Sequence, residues 1–127
     1  MSDLRLLIGC VLLLATGCKS DPADCKNYFS GKWKYKIHAV DKIYVVRTLV
    51  QQIEYVADGK YHYDFDIKWI SDCKYEIKYK GTNNPKPAVA KIGETTTVEI
   101  LAAEKNKMTY QTYFRDLQQV GEMERIN

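Results

Sequence analysis

Two neighbouring stretches of the chain alternate strictly between apolar and polar side chains, and this feature constrains the fold most. From position 61 to position 69 every second residue is aromatic or aliphatic, and the residues between them are polar or charged. Positions 73–79 repeat the pattern. A period of two residues places one set of side chains on each face of an extended strand, whereas a helix requires a period near 3.6. The alternation therefore predicts two β-strands, each with one buried face.

The same period extends over most of the chain. Lys32–His38 places Trp33, Tyr35 and Ile37 on one face, and Ile43–Val56 is apolar on both faces. We expect the second of these segments to be one strand with a bend or bulge near Gln51 and Gln52. Three further strands are predicted at about Thr95–Ala103, Met108–Arg115 and Val120–Ile126. Turns or loops are predicted at Asp58–Gly59, Gly81–Pro87, Glu104–Lys107 and Asp116–Gln119.

These strands predict an all-β domain. Short connections make consecutive strands antiparallel, and no segment combines helical spacing with helix caps. Seven or eight antiparallel strands favour a small up-and-down barrel or a tightly curled sheet. Closure into a barrel removes unpaired strand edges, which would otherwise expose a chain rich in Tyr and Val to aggregation.

Charge predicts the register of the hairpin formed by the two alternating stretches. If residues 71–73 form a three-residue loop, three cross-strand pairs on the outer face have opposite charges. These pairs are Lys68 with Glu76, Asp66 with Lys78 and Asp64 with Lys80. A shift of two residues would place like charges opposite each other, which is unfavourable by tenths of a kcal/mol per pair.

The N-terminal segment indicates export. Leu6–Thr16 is an apolar run of about a dozen residues, which at roughly 1.5 Å per residue is too short to span a hydrocarbon core of about 30 Å. The run ends in Leu14-Ala15-Thr16-Gly17-Cys18, which resembles the lipobox of bacterial lipoproteins. We expect residues 1–17 to be a signal peptide, 18–24 a tether lipidated at Cys18, and 25–127 the β-domain. Modification at Cys10, or ordinary secretory cleavage, is the alternative.

The remaining cysteines suggest a disulfide. If Cys10 is removed with the signal and Cys18 carries lipid, Cys25 and Cys73 form an even pair in an oxidising compartment. The alternative is two free thiols. Neither cysteine lies in a Cys-x-x-Cys motif, and only His38 and His62 could assist them, so a zinc site is not expected.

Two resemblances extend this interpretation. Gly31-Lys32-Trp33 resembles the Gly-x-Trp signature of lipocalins and their calycin relatives, in which the Trp closes one end of the barrel under an Arg from elsewhere. This likeness implies that Arg47, Arg115 or Arg125 packs on Trp33.

The chain also resembles small lipoproteins of flavobacteria and other Bacteroidetes, through Cys25-Lys26, Gly31, Arg47 and the Trp-x-x-x-Cys-x-Tyr element at 69–75. That likeness implies a cell-envelope protein of the outer membrane, facing the periplasm or the cell surface. Some relatives carry a DNA topoisomerase IV label, but a lipidated barrel of about 110 residues has no room for the domains of that enzyme.

Charge and motif content argue against several functions. The net charge of +3 is spread over a mixed surface, unlike the concentrated basic face of a nucleic-acid binder. Asp64 and Asp66 could hold a cation, but a salt-bridge ladder with the facing lysines is the favoured interpretation. No nucleophile has a spacing that ties it to His38 or His62, and no phosphate-binding loop is present. We therefore expect neither enzymatic activity nor a cofactor or metal.

The aromatic residues leave two functional classes open. Packing in the core is their default role, but buried Tyr hydroxyls need partners and could line a ligand cavity. The possible lining residues are Tyr35, Tyr61, Tyr63, Phe65, Trp69, Tyr75 and Tyr79. One class is a membrane-anchored, monomeric binding module for a small amphipathic ligand. The other is an interaction, inhibitor or accessory lipoprotein with a filled barrel. A cavity of about 300 Å³ or more, reached from one end, would favour the first.

Overall fold

A computed structural model of the protein describes residues 25–36, 43–86 and 90–126, and in these ranges it contains eight antiparallel strands. The strands are β1 (Gly31–Tyr35), β2 (Tyr44–Arg47), β3 (Gln51–Val56), β4 (Tyr61–Ser71), β5 (Lys74–Thr82), β6 (Thr95–Glu104), β7 (Lys107–Phe114) and β8 (Leu117–Arg125). Each strand pairs with the next, and β1 pairs with β8, which closes the barrel. The prediction of a small up-and-down barrel is confirmed.

The alternation on β5 shows why the sequence forms this barrel. Tyr75 and Tyr79 are buried, whereas Lys78 and Lys80 are exposed. Adjacent residues of a strand point to opposite faces, so one face of each strand turns toward the interior and the other toward solvent. The buried cluster includes Trp33, Val45, Val98, Met108 and Met123, which come from five different strands.

The prediction of one bent strand over Ile43–Val56 is wrong. The chain instead reverses at residues 48–50, and β2 and β3 pair antiparallel. The Thr48 hydroxyl accepts hydrogen bonds from the backbone N–H groups of Val50 and Gln51, at 3.2 and 3.1 Å. A Thr side chain can stabilise a tight turn in this way without Gly or Pro, so the usual turn signals are missing from the sequence.

Two of the three predicted charge pairs in the β4–β5 hairpin are present. Asp66 lies opposite Lys78, and Lys68 lies opposite Glu76. The connection is shorter than predicted, because only Asp72 and Cys73 form the turn. An irregularity between Trp69 and Ser71 accommodates the extra residue and preserves the register of the two charge pairs.

The prediction for the third pair is wrong. Asp64 lies opposite Gly81, because a register shift falls between Asp64 and Phe65. The Lys80 Nζ lies 3.4 Å from a carboxylate oxygen of Asp66 instead. Both side chains of this ion pair are more than half exposed, so it contributes little stability.

A short covering segment closes one end of the barrel. It consists of Cys25, a 3₁₀ helix over Lys26–Tyr28, and Phe29, which is fully buried. Cys25 forms a disulfide with Cys73 in the β4–β5 turn, with 5.4 Å between the Cα atoms, so the predicted pairing is confirmed. The sequence did not predict this helix because a single turn is too short to show a helical period.

Several predicted features lie outside the described residues. They are the signal segment, Cys18 with its tether, Ile37, His38 and Pro87. In the ranges that the structure describes, no helix is long and apolar enough to cross a membrane.

Candidate ligand-binding cavity

The barrel encloses a cavity of about 330 Å³. Its polar lining side chains are Tyr35, Arg47, Gln52, Tyr75, Tyr110, Thr112 and Gln119, and the other lining residues are Ile77, Val98, Val120, Gly121 and Met123. These residues come from seven of the eight strands. The cavity reaches the surface along the first half of β8, where Gln119 and Val120 are exposed. The end that carries the covering segment is closed.

Trp33 forms the centre of the closed end. Its side chain is fully buried, and its indole N–H donates a hydrogen bond to the carbonyl oxygen of Phe29 at 3.0 Å. The Arg125 guanidinium lies 4.5 Å from the centre of the Trp33 ring. Arg125 also donates hydrogen bonds to the carbonyl oxygens of Tyr28, Ser30 and Lys105, at 3.0, 2.6 and 2.8 Å. The contacts of Arg125 therefore join β8, the covering segment and the β6–β7 turn around Trp33.

Arg47 lies at the boundary between this closed end and the cavity. Its guanidinium carbon is 4.0 Å from the centre of the Phe29 ring and 5.0 Å from the centre of the Trp33 ring. Its Nη1 donates to the Tyr75 hydroxyl and its Nη2 to the Met108 sulfur, each at 3.4 Å. The side chain is only 3% exposed, and its Nε has no hydrogen-bond partner among the described residues.

The third candidate partner of Trp33 lies elsewhere. Arg115 belongs to the β7–β8 turn at the end of the barrel opposite the covering segment. Its Nε and Nη2 donate hydrogen bonds to the two carboxylate oxygens of Glu94, at 2.7 and 2.8 Å. These hydrogen bonds lower the pKa of Glu94 to about 2. The pair connects the β5–β6 loop to the β7–β8 turn and does not reach Trp33.

Burial raises the pKa values of the phenol groups in the interior. Burial raises the pKa of Tyr75, and burial followed by the nearby Glu54 carboxyl raises the pKa of Tyr35. Burial also raises the pKa of Tyr110 to about 12 and moves the pKa of Glu54 upward. The three phenols are therefore uncharged at neutral pH, and their hydroxyls can donate hydrogen bonds.

Two of the seven predicted lining residues, Tyr35 and Tyr75, line the cavity. Trp69 packs at the closed end, with its ring centre 4.9 Å from that of Phe29, and its indole N–H donates to the Leu49 carbonyl oxygen at 2.9 Å. Its role in this position is to pack against the covering segment.

The other four predicted residues lie on β4 and β5, outside the cavity lining. Tyr63 and Phe65 pack against Tyr79, with ring centres 6.4 and 5.6 Å apart. Tyr61, at the start of β4, lies under the ammonium group of Lys60. Of the β4 and β5 residues, only Tyr75 and Ile77 line the cavity, and most of its lining comes from other strands.

Several lining residues were not predicted as such. The sequence predicts Arg47 only as a possible partner for Trp33, and it predicts Tyr110 and Thr112 only as members of a strand. Gly121, which lies opposite Tyr110, is the sequence feature that could have indicated the inward position of this tyrosine. A Cβ at position 121 would lie 2.5 Å from the Tyr110 hydroxyl oxygen and 2.6 Å from its ring, so only Gly leaves room for this tyrosine.

The two aspartates considered for cation binding, Asp64 and Asp66, form pairs with surface side chains. The His62 Nδ1 lies 3.0 Å from a carboxylate oxygen of Asp64, and Asp66 pairs with Lys80. Among the residues that the structure describes, no group of three or more His, Cys, Asp or Glu side chains could hold a metal ion.

No protein-family model, curated protein or solved structure matches the chain. The fold and the cavity define the class: a small closed antiparallel barrel, covered at one end, with a hollow interior lined by both polar and apolar groups.

Proposed function

We propose that the protein is a non-enzymatic binding module that holds a small amphipathic ligand inside its barrel. The cavity of about 330 Å³ is the observation that supports this function, because ligand sites begin at roughly 300 Å³. Tyr and Gln side chains supply hydrogen-bonding groups, whereas Ile77, Val98 and Met123 supply apolar surface. A well-packed barrel of this size would fill such a volume with side chains.

We propose that this module is attached to the outer membrane through lipid on Cys18 and acts as a monomer. The lipobox-like sequence and the likeness to flavobacterial lipoproteins support the attachment. In cells fed labelled palmitate, the wild-type protein should take up label and Cys18→Ser should not. Cys10→Ser is the matched control and should retain the label. Loss of label in Cys10→Ser alone would contradict the assignment of Cys18.

Binding of a protein partner is the second candidate function. Leu49, Val50 and Ile70 are exposed by 41%, 69% and 51%, and all three lie near the closed end of the barrel. Exposed apolar side chains that lie close together are typical of interaction surfaces. This candidate places the partner on the outside of the barrel, so the two candidates predict different responses to blocking the cavity.

The test is native mass spectrometry of the full chain, purified from its own host. We expect the wild-type protein to retain a small molecule, and Thr112→Phe to lose it because the added ring enters the cavity. Thr97→Phe is the matched control. Position 97 is on β6, opposite Tyr113 of β7, and does not line the cavity. This variant should therefore retain the molecule.

Two outcomes would contradict the proposed function. One is a wild-type chain that carries no small molecule and retains a protein instead, which would favour the second candidate. The other is equal retention of the small molecule by wild type and Thr112→Phe, which would place the molecule outside the barrel.

A further inference from the structure

The cavity is lined by a cation, Arg47, whose hydrogen-bonding capacity is only partly used by the described residues. The Arg47 guanidinium has five N–H donors, and two of its nitrogens contact weak or distant acceptors, the Tyr75 hydroxyl and the Met108 sulfur, both at 3.4 Å. Its Nε has no partner among the described residues. Among the described residues, no carboxylate lies within ion-pairing distance of Arg47, whereas Lys34, Lys36, Lys80, Lys107 and Arg115 each have one.

A buried charge without a counter-ion lowers the stability of a fold. Removal of a guanidinium from water is costly, and the contacts with the Phe29 and Trp33 rings offset this cost only in part. The position of Arg47 against an open cavity means that an anion can reach it. A carboxylate matches the planar fork of the guanidinium and can accept two parallel hydrogen bonds.

The neighbouring tyrosines favour the same ligand. Tyr35, Tyr75 and Tyr110 line the cavity together with Arg47, and as neutral phenols they donate hydrogen bonds to an anionic oxygen. Arg47 is the only cationic residue among those that line the cavity. One positive charge with neutral donors suits a singly charged head group, whereas a phosphate monoester would bring a second charge with no cation to balance it.

We propose that the ligand is a small organic carboxylate, with its head group held by Arg47 and the tyrosine hydroxyls and its apolar body against Ile77 and Val98. This inference rests on the proposed binding function and specifies the chemical class of its ligand. A bound carboxylate would supply a counter-ion for Arg47.

The test compares three probes that share an eight-carbon chain and differ in the head group. The full chain is reconstituted in phosphatidylcholine nanodiscs and titrated by calorimetry at pH 8 with octanoate, octan-1-ol or octyl phosphate, and titrations of empty nanodiscs are subtracted. We expect octanoate to bind about 10- to 100-fold more tightly than octan-1-ol, the range of a charge-assisted hydrogen bond. Octyl phosphate should bind more weakly than octanoate.

Two variants test whether Arg47 causes the preference for octanoate. Arg47→Met keeps the length of the side chain and removes its charge, so it should lose the preference for octanoate over octan-1-ol. It should also unfold at a higher temperature than the wild type without ligand, because an unpaired buried charge has been replaced by an apolar group. Lys34→Met removes the same charge from the outer face of the barrel, where Lys34 pairs with Glu124, and should leave the octanoate preference within about twofold.

The possible results separate the two proposals. If octan-1-ol binds as tightly as octanoate, or if Arg47→Met retains the octanoate preference, the carboxylate inference is overturned and the binding function stands. Tighter binding of octyl phosphate overturns the single-charge assignment. If none of the probes binds and the host-purified protein carries no small molecule, the proposed function itself fails.

Discussion

Replacement of both disulfide cysteines by serine, Cys25→Ser with Cys73→Ser, should lower the free energy of unfolding by about 4 kcal/mol. The disulfide joins residues separated by 48 positions. In the chain-entropy model, a cross-link over a loop of this length restricts the unfolded chain by roughly that amount. The folded state is also affected, because Cys25 begins the covering segment and Cys73 lies in the β4–β5 turn beneath it. Urea unfolding followed by circular dichroism measures the change.

Reduction of the wild-type protein provides the control. Dithiothreitol should shift the unfolding midpoint of the wild type toward that of the double variant and leave the double variant unchanged. An unfolding midpoint of the wild type that does not respond to reductant would show that the disulfide contributes no net stability. The size of the effect would also be wrong if the double variant lost less than about 1 kcal/mol, since the range expected for native disulfides of small domains is about 2–5 kcal/mol.

Trp33→Ala should cost about 3–5 kcal/mol, the range measured for large aromatic side chains removed from a core. Trp33 is fully buried, so its removal leaves a cavity and takes away the ring that both Arg47 and Arg125 contact. The carbonyl oxygen of Phe29 also loses the hydrogen bond from the indole N–H. The same urea titration measures this loss.

Trp33→Phe and Lys34→Ala are the matched variants for this prediction. Trp33→Phe keeps an aromatic ring beneath the guanidinium groups and should restore part of the loss. Lys34→Ala changes the next residue of β1, which is exposed, and should alter the unfolding free energy by no more than about 0.5 kcal/mol. A Trp33→Ala variant as stable as Lys34→Ala would show that Trp33 does not hold the closed end together.

The fold was predictable because burial and alternation agree along most strands. Alternation predicts antiparallel strands with one buried face, and the removal of exposed edges favours a closed barrel over an open sheet. The details that sequence reasoning missed depend on single side chains. Thr48 turns the chain with its hydroxyl, and a register shift beside Asp64 moves one charge pair, and neither has a periodic signature.

The cavity was less predictable, because its central residue violates the pattern that predicted the fold. Alternation assigns charged side chains to the outer face, yet in β2 Val45 and Arg47 are both buried and Val46 is partly exposed. Gln52 on β3 also lies inside, at 6% exposure. Polar groups are placed inside a barrel at a cost in stability, and they are most common where a ligand compensates for that cost.

The likeness to lipocalins implied that one arginine packs on Trp33, but it did not indicate which of the three candidate arginines does so. Arg47 and Arg125 both contact the Trp33 ring, whereas Arg115 lies at the other end of the barrel with Glu94. The three could not be separated from the sequence, because the missed reversal at residues 48–50 placed Arg47 inside a predicted strand and not at the end of one.

Cys25 places the N-terminal end of the described domain at the covered end of the barrel. Any anchor upstream of Cys25 is joined to the covered end, whereas β8 begins at the other end, with Gln119 and Val120 beside the opening. Under the proposed attachment through Cys18, the bilayer would be joined to the covered end of the barrel. A ligand of the proposed binding module would then enter at the end of the barrel farther from the anchor.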